Sequence, residues 1–207
     1  MNKIKNSIYP SKNLINNLLE KYRNKDFRVA ESLAISITKD YPNYSFGWKI
    51  LGSILKFNGK INQSLVATIK SAELSPDDFE AHYNLGNTYK EVGKFYDAVN
   101  CYKKSIFLKS DYFQSYFNLA NTYKELENLD EAINAYQKVI SIKHDYAKAY
   151  YNLATIYQEQ GKFDDAKKNY VKAITFNSKF VEAHRHLASL KVFNTKDDQF
   201  LKILQIY

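Results

Sequence analysis

The sequence predicts an all-α protein in which antiparallel helix pairs stack into a solenoid. Three observations lead to this prediction. The 207 residues include only six glycines and three prolines, which is few for a fold rich in strands and loops. The segment NLGNTYKE at residues 84–91 returns as NLANTYKE at 118–125 and as NLATIYQE at 152–159, a period of 34 residues. Within each period, apolar residues are spaced by three and four positions, as on amphipathic helices.

Each repeat is predicted to contain two helices. We number the positions from the start of each repeat, at Ser45, Phe79, Phe113 and Ala147. Positions 4, 7, 8 and 11 are mostly apolar or small in the first helix, as are positions 20, 24, 27 and 28 in the second. Small residues at positions 8 and 20 allow the two helices to approach closely, and larger ones at positions 4, 11 and 24 fill the space around them.

The turn between the two helices of a repeat is predicted at position 15. Gly59, Gly93 and Gly161 occupy this position, where a helix C-terminus favours a residue in the left-handed conformation. In the third repeat, Glu127 and Asn128 fall in the turn. We expect Asn128 to adopt the left-handed conformation, because asparagine tolerates it better than most residues.

The chain is predicted to divide into four parts. Residues 1–10 form an N-terminal tail, and residues 11–44 form a divergent capping repeat in which Phe27, Ala30 and Ala34 keep the second-helix pattern. Residues 45–180 contain four regular repeats. Residues 181–207 are a degenerate C-terminal repeat or capping helices, since the pattern decays after Val181. Terminal repeats are commonly atypical because they cap the stack.

The repeats resemble the tetratricopeptide repeat (TPR) family. The residues that carry the resemblance are Trp48-x-x-Leu51-Gly52, Leu85-Gly86-x-x-Tyr89, Ala98-x-x-x-Tyr102 and the closing Pro76. The resemblance implies a right-handed superhelix whose first helices line a concave groove. Residues 14–33, 46–52 and 182–207 also resemble the N-terminal repeat region of bacterial TPR-containing sulfotransferases, although nothing in the chain matches the phosphosulfate-binding loop of that family.

Charge and chain ends limit the classes of partner. Thirty basic residues against 22 acidic ones give a net charge of +8, but only Arg23, Arg28 and Arg185 are arginines. Because nucleic-acid binding usually relies on clustered arginines, nucleic acid is a minor option. No apolar run is long enough for a membrane helix, and no apolar segment follows the first lysines as in a secretory signal. The sequence therefore favours a cytoplasmic protein.

We find no motif for catalysis, cofactor binding or metal binding. The glycines are isolated at repeat positions, so no loop is built to hold phosphate. His184 and His186 are two residues apart on a predicted helix, where side chains point about 200° apart, so they are not expected to share a metal ion. Cys101 is the single cysteine and is expected to be structural. We expect no catalytic residue, no cofactor and no metal.

The candidate binding residues lie on the first helices, opposite the core positions. They occupy positions 5, 6, 9 and 12, which recur as rows of aromatic, amide and lysine side chains. An asparagine offers both a donor and an acceptor to a peptide group, and the position-6 asparagines resemble the ladder in O-linked N-acetylglucosamine transferases. The alternatives are that these asparagines are ordinary repeat composition and that the aromatic residues pack between helices. The predicted peptide-binding residues are Lys49, Tyr83, Asn84, Asn87, Lys90, Phe117, Asn118, Asn121, Lys124, Tyr151 and Asn152.

The function favoured by the sequence is a non-catalytic protein–protein interaction module that binds an extended peptide or protein segment in its concave groove. The partner is expected to be a protein or peptide, with acidic character as one option and no role for membranes. Two alternatives stay open at this point. One is the substrate-recruiting N-terminal region of a larger, sulfotransferase-like transferase, and the other is a scaffold that self-associates through its terminal repeats.

Overall fold

A computed structural model of the chain describes residues 8–190. These residues form eleven helices and no strand, which confirms the all-α prediction. The helices are α1 (Lys12–Arg23), α2 (Phe27–Asp40), α3 (Ser45–Phe57), α4 (Ile61–Leu74), α5 (Phe79–Glu91), α6 (Phe95–Leu108), α7 (Phe113–Glu125), α8 (Leu129–Ile142), α9 (Ala147–Glu159), α10 (Phe163–Phe176) and α11, which covers residues 181–190.

The chain divides into two compact units, unit 1 (Met1–Ser115) and unit 2 (Tyr116–Tyr207). Parts of the predicted N-terminal tail and C-terminal repeat, residues 1–7 and 191–207, lie outside the described residues. None of the helices in the described part of the chain has the length and apolar character needed to cross a membrane.

The core of unit 1 is built from the small and large positions that the repeat pattern indicates. Ala30, Ala34 and Ile37 of α2 are fully buried, and Leu51 of α3 is nearly so. Close approach of the helices is visible at Gly86, because a β-carbon there would lie 2.7 Å from Cε1 of Tyr102. A small residue at position 8 therefore makes room for a large one at position 24.

The core of unit 2 repeats the same arrangement with alanine at position 8. Ala120 and Ala154 are fully buried on the first helices, and Tyr136 and Tyr170 are fully buried on the second helices. Leu119 at position 7 keeps only 6% of its surface exposed. Burying such residues removes apolar surface from water, which is the main source of stability in a helix stack.

The turns between paired helices confirm the glycine positions and correct one prediction. Gly59, Gly93 and Gly161 have φ angles of 73°, 76° and 73°, so they adopt the left-handed conformation. In the third repeat, that conformation is adopted by Glu127, with φ 60°. Asn128 has φ −82°, so the prediction for it was wrong. The repeat register, rather than the tolerance of the side chain, decides which residue is left-handed.

Candidate functional site

The predicted binding residues lie on α3, α5, α7 and α9, the first helices of the four regular repeats. We call the side chains at positions 5, 6, 9 and 12 of these helices the first-helix surface. All eleven predicted residues are partly buried, so none is a freely projecting side chain. Most are held by neighbours from the same unit, and these contacts decide which atoms a ligand could reach.

Lys49 on α3 is fixed by two carboxylates. Its Nζ lies 2.9 Å from Asp78 Oδ2 and 2.9 Å from Glu80 Oε2, and the lysine side chain is only 16% exposed. Burial opposes its charge, but the hydrogen bonds to both acids outweigh burial and raise the pKa of Lys49. Lys49 therefore joins α3 to the start of α5 and has its charge compensated within the chain.

The aromatic residues at position 5 pack against other rings. In unit 1, Tyr83 lies 6.2 Å from Tyr102 and meets Tyr112 edge-on at 5.2 Å, both between ring centroids. Aromatic rings prefer edge-to-face or offset contact. These two contacts therefore restrict the orientation of the Tyr83 ring. Tyr83 keeps a partly exposed surface that can contribute apolar contact.

Unit 2 repeats this aromatic packing. Phe117 lies 5.9 Å from Tyr136 and meets Tyr146 edge-on at 5.1 Å, again between ring centroids. Tyr151 lies 5.9 Å from Tyr170 and 4.8 Å from Phe180. In both of these repeats of unit 2, as in unit 1, the position-5 ring therefore packs against the buried tyrosine at position 24.

In unit 1, a buried phenol orients the amide at position 9. Tyr102 OH donates to Asn87 Oδ1 at 2.9 Å. Burial raises the pKa of Tyr102 far above its ordinary value, so the phenol stays protonated and acts as a donor. Asn84 at position 6 is different, since its carboxamide makes no hydrogen bond within residues 8–190. The Thr88 hydroxyl donates to the backbone oxygen of Asn84 and leaves the carboxamide untouched.

In unit 2, three side chains form what we call the Asn121 cluster. Tyr136 OH donates to Asn121 Oδ1, and Asn152 Nδ2 donates to the same oxygen at 2.9 Å. Asn152 Nδ2 also lies 3.1 Å from Tyr136 OH. The amide nitrogen of Asn152 is therefore already hydrogen-bonded within the chain. Asn152 cannot offer both its donor and its acceptor to a ligand, as the sequence analysis expected for an asparagine. Asn118 also has an interaction partner.

A second cluster was not predicted from the sequence. Tyr170 OH donates to Gln158 Oε1 at 2.7 Å, and His186 Nδ1 lies 3.4 Å from the same oxygen. The His186 ring stacks on Tyr170, with centroids 5.5 Å apart and an angle of 25°. We call these three residues the Gln158 cluster. It repeats the arrangement of the Asn121 cluster with different residue types, which is why the repeat pattern did not reveal it.

The lysines at position 12 are paired, which changes the expected electrostatics of the surface. Lys56 Nζ lies 2.8 Å from Glu91 Oε2 in unit 1, and Lys124 Nζ lies 3.0 Å from Glu159 Oε1 in unit 2. Lys124 also donates to Thr155 Oγ1 at 3.2 Å, and Lys90 has a partner as well. Lys56 and Lys124 are therefore less able to attract acidic ligands, because each is already paired with a carboxylate of the chain itself.

Residues considered for chemistry have structural contacts. His184 Nε2 lies 2.9 Å from the backbone oxygen of Ser178. Burial and the nearby charge of Asp97 raise the pKa of the Cys101 thiol to about 12, so it remains protonated and a poor nucleophile. No group of three or more His, Cys, Asp or Glu side chains in the described part of the chain is placed to hold a metal ion.

Comparison with known protein families identifies the repeats. A family model described as "Tetratricopeptide repeat" matches residues 79–112 and 147–180, and a second, described as "TPR repeat", matches residues 120–161. A comparison with curated proteins finds no significant match. The chain therefore contains tetratricopeptide repeats, and the sulfotransferase resemblance of its ends finds no support in these comparisons.

Solved structures share the fold over most of the chain. The crystal structure of MamA is 28% identical, with a TM-score of 0.74, and the match covers 79% of this chain and 95% of that one. YrrB, described as a TPR protein with an unusual peptide-binding site, is 15% identical, with a TM-score of 0.73 and coverage of 86% and 91%. TTC0263, a thermophilic TPR protein in Thermus thermophilus, is 18% identical, with a TM-score of 0.65 and coverage of 87% and 98%. The fold and the repeats together support a protein–protein interaction module.

Proposed function

We propose that the chain is a non-catalytic module that binds an extended peptide or protein segment at the part of the first-helix surface that each unit carries. The observation that carries the proposal is the recurring pair of a position-5 ring and a nearby amide, with both held in place by a buried position-24 tyrosine. Tyr83 and Asn87 share Tyr102 in this way, and the same arrangement recurs in unit 2 around Tyr136. Binding groups that are already ordered lose little entropy when a ligand arrives.

The chemistry of this surface suits an extended main chain. Each residue of an extended segment exposes a carbonyl oxygen and an amide hydrogen, and asparagine can serve either group. Ring faces and edges next to the amides offer contact to alternate side chains. The description of YrrB as a peptide-binding TPR protein with the same fold supports this use of the repeats.

Selection of the partner by negative charge is not part of the proposal. Lys49, Lys56 and Lys124 are each within 3.0 Å of a carboxylate oxygen of the chain itself. An acidic ligand would have to displace these carboxylates, and the gain from exchanging one carboxylate for another is small. We therefore propose a partner recognised by its main chain and its apolar side chains.

A display library of random twelve-residue peptides, presented to the full chain, tests the proposal. Selected peptides should bind wild type and lose roughly ten- to a thousandfold in affinity with the triple change Asn84→Ala, Asn118→Ala and Asn152→Ala. The matched control makes the same change at three exposed asparagines of the second helices, Asn62, Asn100 and Asn134, and should leave affinity unchanged. Failure to select any peptide, or equal loss in both triple variants, would contradict the proposal.

Self-association through the C-terminal repeats is a second candidate. It is favoured by exposed apolar side chains near that end of the described chain, since Phe163 is 50% and Val181 69% exposed. Light scattering should then report a mass above that of one chain, which falls to one chain in the variant Phe163→Ser, Val181→Ser. A single-chain mass for wild type at high concentration would rule this candidate out.

A further inference from the structure

We infer that unit 2 presents two oriented donor–acceptor pairs, one from the Asn121 cluster and one from the Gln158 cluster, which read main-chain peptide groups of an extended ligand. The inference rests on the proposed function and deepens it in two ways. It names the atoms of unit 2 that meet the peptide group. It also adds Gln158, on α9, and His186, on α11, to the binding residues.

In the Asn121 cluster, the internal hydrogen bonds determine which atoms remain for a ligand. Asn121 Oδ1 receives donors from both Tyr136 and Asn152, so the amide nitrogen of Asn121 is left over. Asn152 Nδ2 carries two hydrogens, and it has two neighbours at hydrogen-bonding distance, Asn121 Oδ1 and Tyr136 OH. Asn152 Oδ1 is then left as an acceptor. The cluster thus offers one donor and one acceptor, and neither amide can flip without losing its internal bonds.

The Gln158 cluster also leaves one donor and one acceptor unused. Gln158 Oε1 accepts from Tyr170 OH, which leaves Gln158 Nε2 as a donor. His186 Nδ1 faces the same oxygen, so it must carry the hydrogen in that contact, and His186 Nε2 is left as an acceptor. Stacking on Tyr170 holds the imidazole ring in this orientation. This cluster therefore offers the same combination of one donor and one acceptor.

The residues that carry the remaining atoms are partly exposed. Asn121, Asn152, Gln158 and His186 each keep part of their surface open to solvent, and within residues 8–190 none of the four atoms is both buried and without a hydrogen-bond partner. Within the same residues, the side chains of both clusters make no hydrogen bonds beyond those described. A donor and an acceptor side by side match the carbonyl oxygen and amide hydrogen of a peptide main chain.

The lysine beside the Asn121 cluster offers no free positive charge to an acidic ligand. Lys124, one helical turn from Asn121, is held by Thr155 and Glu159, and Thr155 in turn donates to the backbone oxygen of Asn152. The positive charge of Lys124 is therefore compensated within the chain, and the carboxylates of Glu125 and Glu159 are the charges that act on Tyr136 of the cluster. We expect a neutral peptide to bind through its main-chain atoms, with little dependence on salt.

The experiment uses a neutral twelve-residue peptide selected by the full wild-type chain from the library above, together with derivatives carrying one N-methyl group at each peptide nitrogen. Titration calorimetry should show that N-methylation at two or more sites lowers affinity roughly tenfold, because each methyl removes one amide hydrogen. In ¹⁵N spectra, the side-chain NH₂ signals of Asn121 and Gln158 should shift when the unmodified peptide binds.

Two protein variants test the clusters separately. Asn121→Asp keeps an oxygen for Tyr136 and Asn152 but replaces the outward NH₂, so affinity should fall roughly tenfold with an unchanged melting temperature. Asn134→Asp makes the same charge change on the exposed side of α8 and is the matched control. His186→Leu should weaken binding to a similar extent, whereas His186→Asn, which reproduces the donor and acceptor of Asn152, should retain it.

The outcomes separate this inference from the proposed function. If peptides bind wild type but N-methylation, Asn121→Asp and His186→Leu all leave affinity unchanged, the inference is overturned and the proposed function stands. If no peptide is selected at all, both fail. Should Asn121→Asp lower the melting temperature, the N-methyl series and the ¹⁵N shifts still decide the question, because they use the wild-type protein.

Discussion

Lys124 Nζ on α7 lies 3.0 Å from Glu159 Oε1 on α9, so position 12 of one repeat is paired with position 13 of the next. The same relationship joins Lys56 of α3 to Glu91 of α5 at 2.8 Å. In the sequence the lysines and glutamates look like two separate, solvated rows. In the structure, Lys56 and Lys124 are each compensated by a glutamate on the next first helix of the same unit, which leaves amides and rings as the groups that distinguish this surface.

The first prediction concerns the energy of this pairing. Lys124→Met and Glu159→Gln should each lower the free energy of unfolding by less than about 1 kcal/mol, because both side chains are partly exposed and water screens the pair. Urea unfolding of both single variants and of the double variant gives the coupling energy, which should be roughly 0.3–1 kcal/mol. A coupling above about 2 kcal/mol would show that the pair is effectively desolvated.

The second prediction concerns the buried phenol of the Asn121 cluster. Tyr136→Phe removes the hydroxyl that donates to Asn121 Oδ1 and should lower the free energy of unfolding by about 0.5–1.5 kcal/mol. Tyr116→Phe is the control, because the Tyr116 hydroxyl makes no hydrogen bond among residues 8–190. Equal urea midpoints for wild type and Tyr136→Phe would mean that the hydroxyl bond adds nothing to stability.

The third prediction concerns the apolar core of unit 2. Leu119→Ala should lower the free energy of unfolding by about 2–5 kcal/mol, because the leucine is 6% exposed and its removal leaves a cavity between packed helices. Gln137→Ala on the exposed side of α8 should change it by less than about 0.5 kcal/mol. A thermal melt of Leu119→Ala that overlays the wild-type melt would be inconsistent with position 7 as a core position.

Core and turns could be predicted from the sequence because each depends on spacing within one repeat. The burial of Leu119 and Tyr136 could be predicted from the helical period of about 3.6 residues. The turn at Gly93 could be predicted from the length of the first helix in each repeat. The hydrogen-bond clusters could not be predicted in the same way. Asn152 reaches Asn121 from 31 residues away, and this contact depends on how successive helices pack.

The Gln158 cluster could not be predicted from residue type alone. The sequence shows asparagines recurring at positions 6 and 9. At position 9 they stop in the fourth repeat, where Thr155 stands in place of asparagine. In the structure, Gln158 takes over as acceptor for Tyr170, and His186 replaces the position-6 asparagine. One signal was present in the sequence, namely a tyrosine at position 24 that needs an acceptor for its buried hydroxyl.

The fourth prediction concerns acid stability and the Lys49–Asp78 pair. Burial raises the pKa of Asp78, but the hydrogen bond and charge of Lys49 outweigh burial and leave it below the ordinary value of 3.8. Since the folded pKa is the lower one, the stabilisation is present above the unfolded value and is lost as pH falls through the folded value. In urea unfolding between about pH 5 and pH 2, Lys49→Met should lose less stability than wild type.

The control for the acid experiment is Lys148→Met, which removes an exposed lysine with no ion pair among residues 8–190. Its stability should decline with falling pH as steeply as that of wild type. If Lys49→Met also declines as steeply as wild type, the ionised form of Asp78 is not favoured by the lysine in the folded protein.

The last prediction concerns the left-handed residue of the third repeat. Glu127 has φ 60°, where the other regular repeats place glycines with φ of 73° to 76°. A β-carbon at those glycines would contact nothing within 4 Å, so the cost for a residue with a side chain comes from its own backbone and not from crowding. That cost is roughly 1–2 kcal/mol, and part of it is offset because glycine also gives the unfolded chain more freedom.

Glu127→Gly should therefore raise the free energy of unfolding by about 0.5–1 kcal/mol, measured by urea unfolding. Glu125→Gly, two residues earlier at the end of α7, should instead lower it by up to about 1 kcal/mol. If both variants are destabilised alike, Glu127 contributes contacts that outweigh its backbone strain.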